Sequence, residues 1–239
     1  MTKAQSDYIK LIAIITMLID HIGAILFPEH IYTFRVIGRI AFPLFAYQVG
    51  TAYAHTRSFK KYMTRLLVFG VAVQIAYAVA LQFPAVSSVI NRGTHSLNIF
   101  FTLALGLLAI YFFEKKWYVG LAAIIILPAA LEFAGSRFEV INFNIEYGLY
   151  GIALVFVFYA LKDNFPLMAA VMGILTLFYL HEVHDIQIFG LAALVFIAKP
   201  LSLKFRVPGY IFYIFYPLHL AILYAIAVML QDPPSILLN

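Results

Sequence analysis

The sequence predicts an all-α fold: a polytopic integral membrane helix bundle of about nine transmembrane helices, with a cytoplasmic N-terminus and an outside C-terminus. Three observations carry that prediction. Of 239 residues, 64% are hydrophobic and only 11% are charged. A soluble domain carries about 25% charged residues, so a soluble enzyme is excluded. The apolar residues also fall into runs approaching the roughly 20 residues that one crossing of a hydrocarbon core requires. Finally, lysine and arginine crowd one set of loops and avoid the other.

Charges, prolines, glycines and asparagines bound the runs. They place helices near Tyr8–Phe27, Phe34–His55, Tyr62–Phe83, Leu97–Phe113, Trp117–Phe133, Tyr147–Leu161, Phe165–Leu180, Gln187–Ala198 and Gly209–Leu230. The fourth, seventh and eighth are short for a full crossing and read as tilted, broken or partly re-entrant. The first run is long, is interrupted by Asp20 and His21, and lacks a small-residue cleavage site, so it is expected to stay in place as a signal anchor. No repeat, low-complexity tract or soluble segment divides the chain, which reads as a single transmembrane domain over 1–239.

Placing the N-terminus inside puts twelve of the sixteen Lys and Arg on the cytoplasmic side: Lys3, Lys10, Arg57, Lys60, Lys61, Arg65, Lys115, Lys116, Lys162, Lys199, Lys204 and Arg206. Arg92 and Arg137 fall outside, and Arg35 and Arg39 lie in the outer half of the second helix. That bias follows the positive-inside rule. The net charge of +5 therefore reports topology, not a nucleic-acid partner. The chain has no cysteine, which excludes disulfides and thiolate chemistry.

A charge at the centre of a membrane helix costs about 2.5–3.5 kcal/mol on insertion scales, so each one is a candidate site. Asp20 and His21 lie about 10 Å below the outer end of the first helix, and His219 about 15 Å into the last one. Arg35, Arg39 and Pro43 share one face of the second helix at i, i+4 and i+8. Pro43 is expected to kink it beside Arg39. Neighbouring residues on a helix point about 100° apart. Either His21 faces a pocket while Asp20 pairs with Arg39, or the reverse. The plain alternative is an ion pair that only joins two helices. Tyr213, Tyr216 and His219 recur at i, i+3 and i+6 around Pro217, which suits packing and a pocket lining equally.

The loop before the third helix holds Arg57, Lys60, Lys61 and Arg65. Its charge is topogenic or it binds phosphate, to which Arg offers a bidentate fork and Lys a point charge. No Gly-rich phosphate loop accompanies it. His181-Glu182-Val183-His184-Asp185 lacks the spacing that puts two metal ligands on one helical face, and no metal site is expected there.

Several blocks together resemble the TraX family, membrane proteins named for the acetylation of conjugative pilin. They are Tyr8-Ile9-Lys10-Leu11-Ile12-Ala13, Met17-Leu18-Ile19-Asp20-His21-Ile22-Gly23, Ile37-Gly38-Arg39-Ile40-Ala41-Phe42-Pro43-Leu44-Phe45 and Leu97-Asn98-Ile99-Phe100-Phe101-Thr102-Leu103. Tyr147-Gly148 and Phe215-Tyr216-Pro217-Leu218-His219-Leu220 complete the set. The family is similar to the multispan acyltransferases that include sugar O-acetylases and the lysosomal heparan acetyltransferase. Their basic motif, associated with the acyl donor, has its nearest equivalents in Lys61 and Arg65.

The resemblance implies an acetyltransferase of the bacterial plasma membrane with acetyl-CoA as donor. Arg57, Lys60, Lys61 and Arg65 would then take the coenzyme phosphates, with His219 and Tyr216 near the thioester. His21 is the expected general base, with Asp20 and Arg39 as its charged neighbours. An acceptor enters from outside past Asn98, Glu146 and Arg35: the N-terminus of an exported peptide or pilin, or a cell-envelope glycan. Direct transfer and an acetyl-histidine intermediate are both open. A proton-coupled transporter using the buried Asp, His and Arg cluster is the alternative, and a noncatalytic assembly factor is a third.

Overall fold

A computed structural model describes residues 2–80, 82, 96–138, 144–182, 185–204 and 206–231. Within them the chain is mostly helical: α1 Lys3–Leu26, α2 Ile31–Gly38, α3 Ala41–Tyr53, α4 Phe59–Ala80, α5 Ile99–Glu114, α6 Tyr118–Phe138, α7 Gly148–Ala160, α8 Phe165–Glu182, α9 Ala193–Ala198 and α10 Gly209–Gln231. A 3₁₀ turn, Pro28–His30, precedes α2 and a longer 3₁₀ segment, Asp185–Ala192, precedes α9. Among the described residues, three helices are long and apolar enough to cross a membrane, over Lys3–Leu26, Phe59–Val79 and Gly209–Leu230. Five further apolar helical stretches are shorter.

The helix expected over Phe34–His55 is two helices, α2 and α3, and this corrects the sequence reading. Pro43 has no N–H to give the Arg39 carbonyl and its ring crowds that group, so the ladder fails one turn before the proline. Arg39 N–H still reaches the Arg35 carbonyl at 3.0 Å as the last α-helical bond, and Ile40 N–H turns to the tighter i→i−3 bond with Ile37 at 3.2 Å. The segment expected as a helix over Gln187–Ala198 is corrected likewise. The structure has a piece that starts two residues earlier, eight residues of 3₁₀ helix over Asp185–Ala192 followed by six of α-helix over Ala193–Ala198. The looser rise stretches this piece to about 25 Å, against about 21 Å as a regular α-helix.

Packing centres on α1, α3, α5 and α7. Ile9, Ala13, Phe42, Leu44, Leu107, Ile110, Leu154, Val155 and Phe158 are all buried there. Lipid tails are as apolar as these side chains, so close contact and buried polar ties hold such helices together, more than expulsion of water. α4 and α10 present apolar faces outward, with Val68, Ile75, Leu218 and Ile222 about half exposed or more.

Two helix starts are locked together beside this core. Strands β1 (Ser96–Leu97) and β2 (Asn144–Ile145) pair in parallel, Ser96 opposite Asn144 and Leu97 opposite Ile145. Asn98 then caps α5, accepting from the Phe100 N–H at 3.1 Å, while the Glu146 carboxylate accepts from the Ile99 N–H at 3.0 Å. A carboxylate at a helix start is favoured by the axial dipole. Tyr147 enters α7 in the left-handed region at φ 62, which costs roughly 1–2 kcal/mol for a residue with a Cβ.

Candidate functional site

α1 packs against α2, α3 and α10, and it carries Asp20 and His21 into them. Asp20 meets both arginines of the broken second segment. Its Oδ2 accepts from Arg35 Nη1 at 3.3 Å, and its Oδ1 faces Arg39 Nη2 at 3.6 Å. Asp20 and Arg39 are only 8% and 7% exposed, so the pair is withdrawn from solvent, whereas the Arg35 side chain is 37% exposed. Arg35 thus leads from the surface to the buried pair. Gly38 makes this geometry possible: a methyl there would lie 2.0 Å from Asp20 Oδ1.

The remaining walls of this cluster come from the later helices. Arg39 Nη1 donates to Gln187 Oε1 at 3.4 Å. Gly190, one 3₁₀ turn on, lets its backbone approach the Arg39 carbonyl that Pro43 leaves without a helical donor. A Cβ on residue 190 would stand 3.1 Å from that oxygen. Tyr147 and Glu146 lie within electrostatic reach of Arg39. Three buried polar atoms, Asp20 Oδ1, Arg39 Nε and Gln187 Nε2, make no hydrogen bond among the described residues. Buried polar groups are ordinarily satisfied, so this concentration marks a place suited to water or a polar ligand.

His21 turns the other way, towards α10. Its Nδ1 lies 2.9 Å from His219 Nε2, and His219 Nδ1 lies 2.8 Å from the Phe215 carbonyl. A carbonyl only accepts, so His219 carries its proton on Nδ1. In the uncharged pair His219 Nε2 is therefore an acceptor and His21 Nδ1 the donor. The lone pair of the couple resides on His21 Nε2. Phe215 stacks on the His219 ring at 4.6 Å, and Tyr216 stands edge-on to both imidazoles at 6.2 and 5.6 Å. Chemically, a base nitrogen oriented by a second imidazole adjoins a buried carboxylate–guanidinium cluster.

The structure thus brings together Asp20, His21, Arg35, Arg39, Tyr216 and His219 among the residues singled out from sequence, with Glu146 beside them. Asn98 is at the edge and is committed to the fold. Its amide donates to the Gly70 carbonyl at 2.7 Å and to Gln74 Oε1 at 3.0 Å, in addition to its cap. Arg57, Lys60, Lys61 and Arg65 are all exposed, away from the cluster. Of these four, Arg65 is the one set against α10, its guanidinium 5.6 Å from the Tyr62 ring centroid and 6.0 Å from that of Tyr213.

Sequence reasoning passed over Gln187, whose signal was a polar side chain at the head of an apolar run. Arg92, His95, Glu139 and His184 lie outside the described residues, as do the side chains of Arg137, His181, Glu182 and Asp185. Among the described residues no group of three or more His, Asp or Glu could hold a metal ion.

The sequence matches the family described as TraX protein over residues 5–227. The chain belongs to the TraX family. Its relatives include the probable fimbrial assembly protein FimC, serogroup H1, of Dichelobacter nodosus, 30% identical over 248 aligned positions that cover 93% of this chain and 96% of that protein. Protein TraX of Escherichia coli is 27% identical over 242 positions, covering 95% and 88% of the two chains. An uncharacterized protein of Rickettsia prowazekii matches over 46% of this chain and 38% of its own, at 33% identity. No solved structure matches. The TraX-family match spans every residue of the cluster, from Asp20 to His219.

Proposed function

We propose that this TraX-family protein is a transmembrane acetyltransferase of the bacterial inner membrane, carrying an acetyl group from cytoplasmic acetyl-CoA to an amine or hydroxyl at the outer side. The observation that carries this reading is the hydrogen-bonded line from Phe215 through His219 to His21. It leaves His21 Nε2 as an oriented base inside the helix bundle. A positioned base of this kind contributes about 10²–10⁴-fold to a transfer reaction.

In this scheme the chain spans the bilayer about nine times with its basic loops inside, in keeping with the positive-inside bias. The coenzyme phosphates meet Arg65 with Lys61, Lys60 and Arg57 at the cytoplasmic mouth, and the thioester reaches His21 past Tyr216. The acceptor approaches from outside by way of Arg35. His21 Nε2 takes its proton as the new bond forms to the thioester carbonyl carbon. The C–S bond then breaks and the coenzyme thiolate recovers that proton. His219 holds the His21 ring and shares the positive charge that develops on it. Arg39 Nε, which is without a partner among the described residues, is a donor available to the developing oxyanion.

Pilin or another exported peptide with a free N-terminus is the acceptor we favour. The relatives' names, TraX and fimbrial assembly protein, support that choice over an envelope glycan. The test is transfer of labelled acetate from acetyl-CoA to a synthetic peptide with a free N-terminal amine, using the protein reconstituted in liposomes. Label on the peptide amine, lost in His21→Ala while the variant stays folded, is the expected result. No transfer to any acceptor, together with solute uptake driven by a proton gradient, would give the cluster to transport instead.

A further inference from the structure

The acetyl-transfer scheme leaves unused a crevice of about 570 Å³ between the second halves of α4 and α10. Its walls include Val73, Ala76 and Tyr77 from α4 and Pro217, Ala221 and Tyr224 from α10. Apart from the two tyrosine hydroxyls these are hydrocarbon groups. The volume is that of a ligand cavity, commonly about 300–1,000 Å³. An acetyl group would occupy only a corner of it.

Its position is more telling than its size. The same pair of helices carries Arg65, Phe69, Tyr213 and Tyr216 ahead of the crevice and His219 level with its near end, with Phe100 of α5 and His21 of α1 filling in the line. Arg65 lies against Tyr213, and Tyr213 stacks on Phe69 at 4.9 Å. Phe69 neighbours Phe100, and Phe100 meets Tyr216 edge-on at 5.1 Å. Tyr216 stands edge-on to His21 at 6.2 Å, with Tyr77 within electrostatic reach. Tyr77 and Pro217, the residue after Tyr216, are themselves crevice walls. One seam therefore presents a cation, a row of rings, a base and a hydrocarbon slot. An acyl thioester of coenzyme A presents phosphate, a slender arm, a reactive carbonyl and a hydrocarbon chain in the same order.

We propose that the crevice holds the hydrocarbon chain of the donor, so that the protein takes acyl-CoA thioesters longer than acetyl-CoA. The proposal rests on the acyl-transfer reading above. The reaction is unchanged in kind. The acceptor nitrogen or oxygen bonds to the acyl carbon, the C–S bond breaks, and the acceptor's proton passes through His21 to the coenzyme thiolate. Chains longer than the crevice run out past Val79 and Met229, which line it and are more than half exposed on the apolar surface.

A bilayer lipid tail has the same chemistry as a donor chain, so the test must separate them. The protein, in nanodiscs of one defined phospholipid, is titrated with acetyl-, octanoyl- and palmitoyl-CoA. Binding is read by displacement of labelled acetyl-CoA, and transfer to the amine peptide is followed in parallel. Wild type and two crevice-filling variants, Ala221→Phe and the milder Ala225→Leu, are compared. Burying methylenes from water strengthens binding about fourfold each, so octanoyl-CoA is expected to bind at least tenfold tighter than acetyl-CoA and to serve as donor. Ala221→Phe should erase that advantage and leave acetyl-CoA binding unchanged, which also shows that the variant is folded.

Equal affinity for all three chain lengths in wild type overturns the proposal. So does an advantage that survives crevice filling, which would be partition into the nanodisc. Loss of a co-purified phospholipid from the filled variants, with no effect of donor length, would assign the crevice to lipid. Acetyl-CoA bound and transferred without a chain-length effect sinks the crevice assignment alone. Failure of every thioester to bind or react sinks the acyl-transfer reading along with it.

Discussion

Each of the two histidines has one ring nitrogen whose role is set by the other, and the Phe215 carbonyl sets the direction of the whole line. His21→Ala should lower acetyl transfer by about 10²–10⁴-fold without unfolding the protein. His219→Ala should fall between that variant and wild type. It leaves the base in place but frees its ring, so the loss is expected in kcat more than in KM. A rise in KM alone, with kcat intact, would make His219 a donor-binding residue instead. The pair of Asp20 and Gly38 offers a separate test. In Gly38→Ala the new methyl claims the position of the Asp20 carboxylate, 2.0 Å from Oδ1. Overpacking of this kind typically costs about 1–3 kcal/mol, to be read from thermal unfolding in detergent.

At the level of elements, breaks matter as much as helices. Pro43 ends one ladder and leaves Arg39 at the joint between α2 and α3, where its side chain reaches both Asp20 and Gln187. The sequence announced a disturbance here, because proline removes a donor wherever it stands. It placed that disturbance beside Arg39 as a kink within one helix; that the helix ends there outright depends on what the surroundings offer the freed carbonyl. Gly190, distant in sequence, provides the room. Asn98 shows the same limit in another form. The family resemblance placed it on the acceptor's path, and the structure gives its side chain the further task of capping α5 and tying it to α4. Asn98→Ala removes the cap and leaves the Gly70 carbonyl without that donor. A loss of about 1–3 kcal/mol in stability is expected from thermal unfolding, with little change in donor affinity.

For the whole molecule, the proposed orientation puts the basic loops inside and the entry past Arg35 outside. Orientation can be tested cleanly, because the chain has no cysteine of its own. Single cysteines at Lys61 and Lys116 should react with a membrane-impermeant maleimide only after the cells are opened. A cysteine at Glu29 should react in intact cells. The reverse pattern would place the donor mouth outside, where no coenzyme thioester is supplied, and would end the transfer scheme.

Composition and motifs alone establish a helical, membrane-type protein of the TraX family, and they single out Asp20, His21, Arg35, Arg39 and His219 as the residues to explain. Those conclusions follow from the apolar content and from the cost of charge in hydrocarbon, which do not depend on how the helices pack. The partners were settled by packing. Asp20 could have faced His219, and His21 could have faced Arg39. Two adjacent residues on α1 diverge by about 100°, so the neighbouring helices choose what each one meets. The broken segment of α2 and α3 took Asp20, and α10 took His21, because residues distant in sequence occupy those two directions.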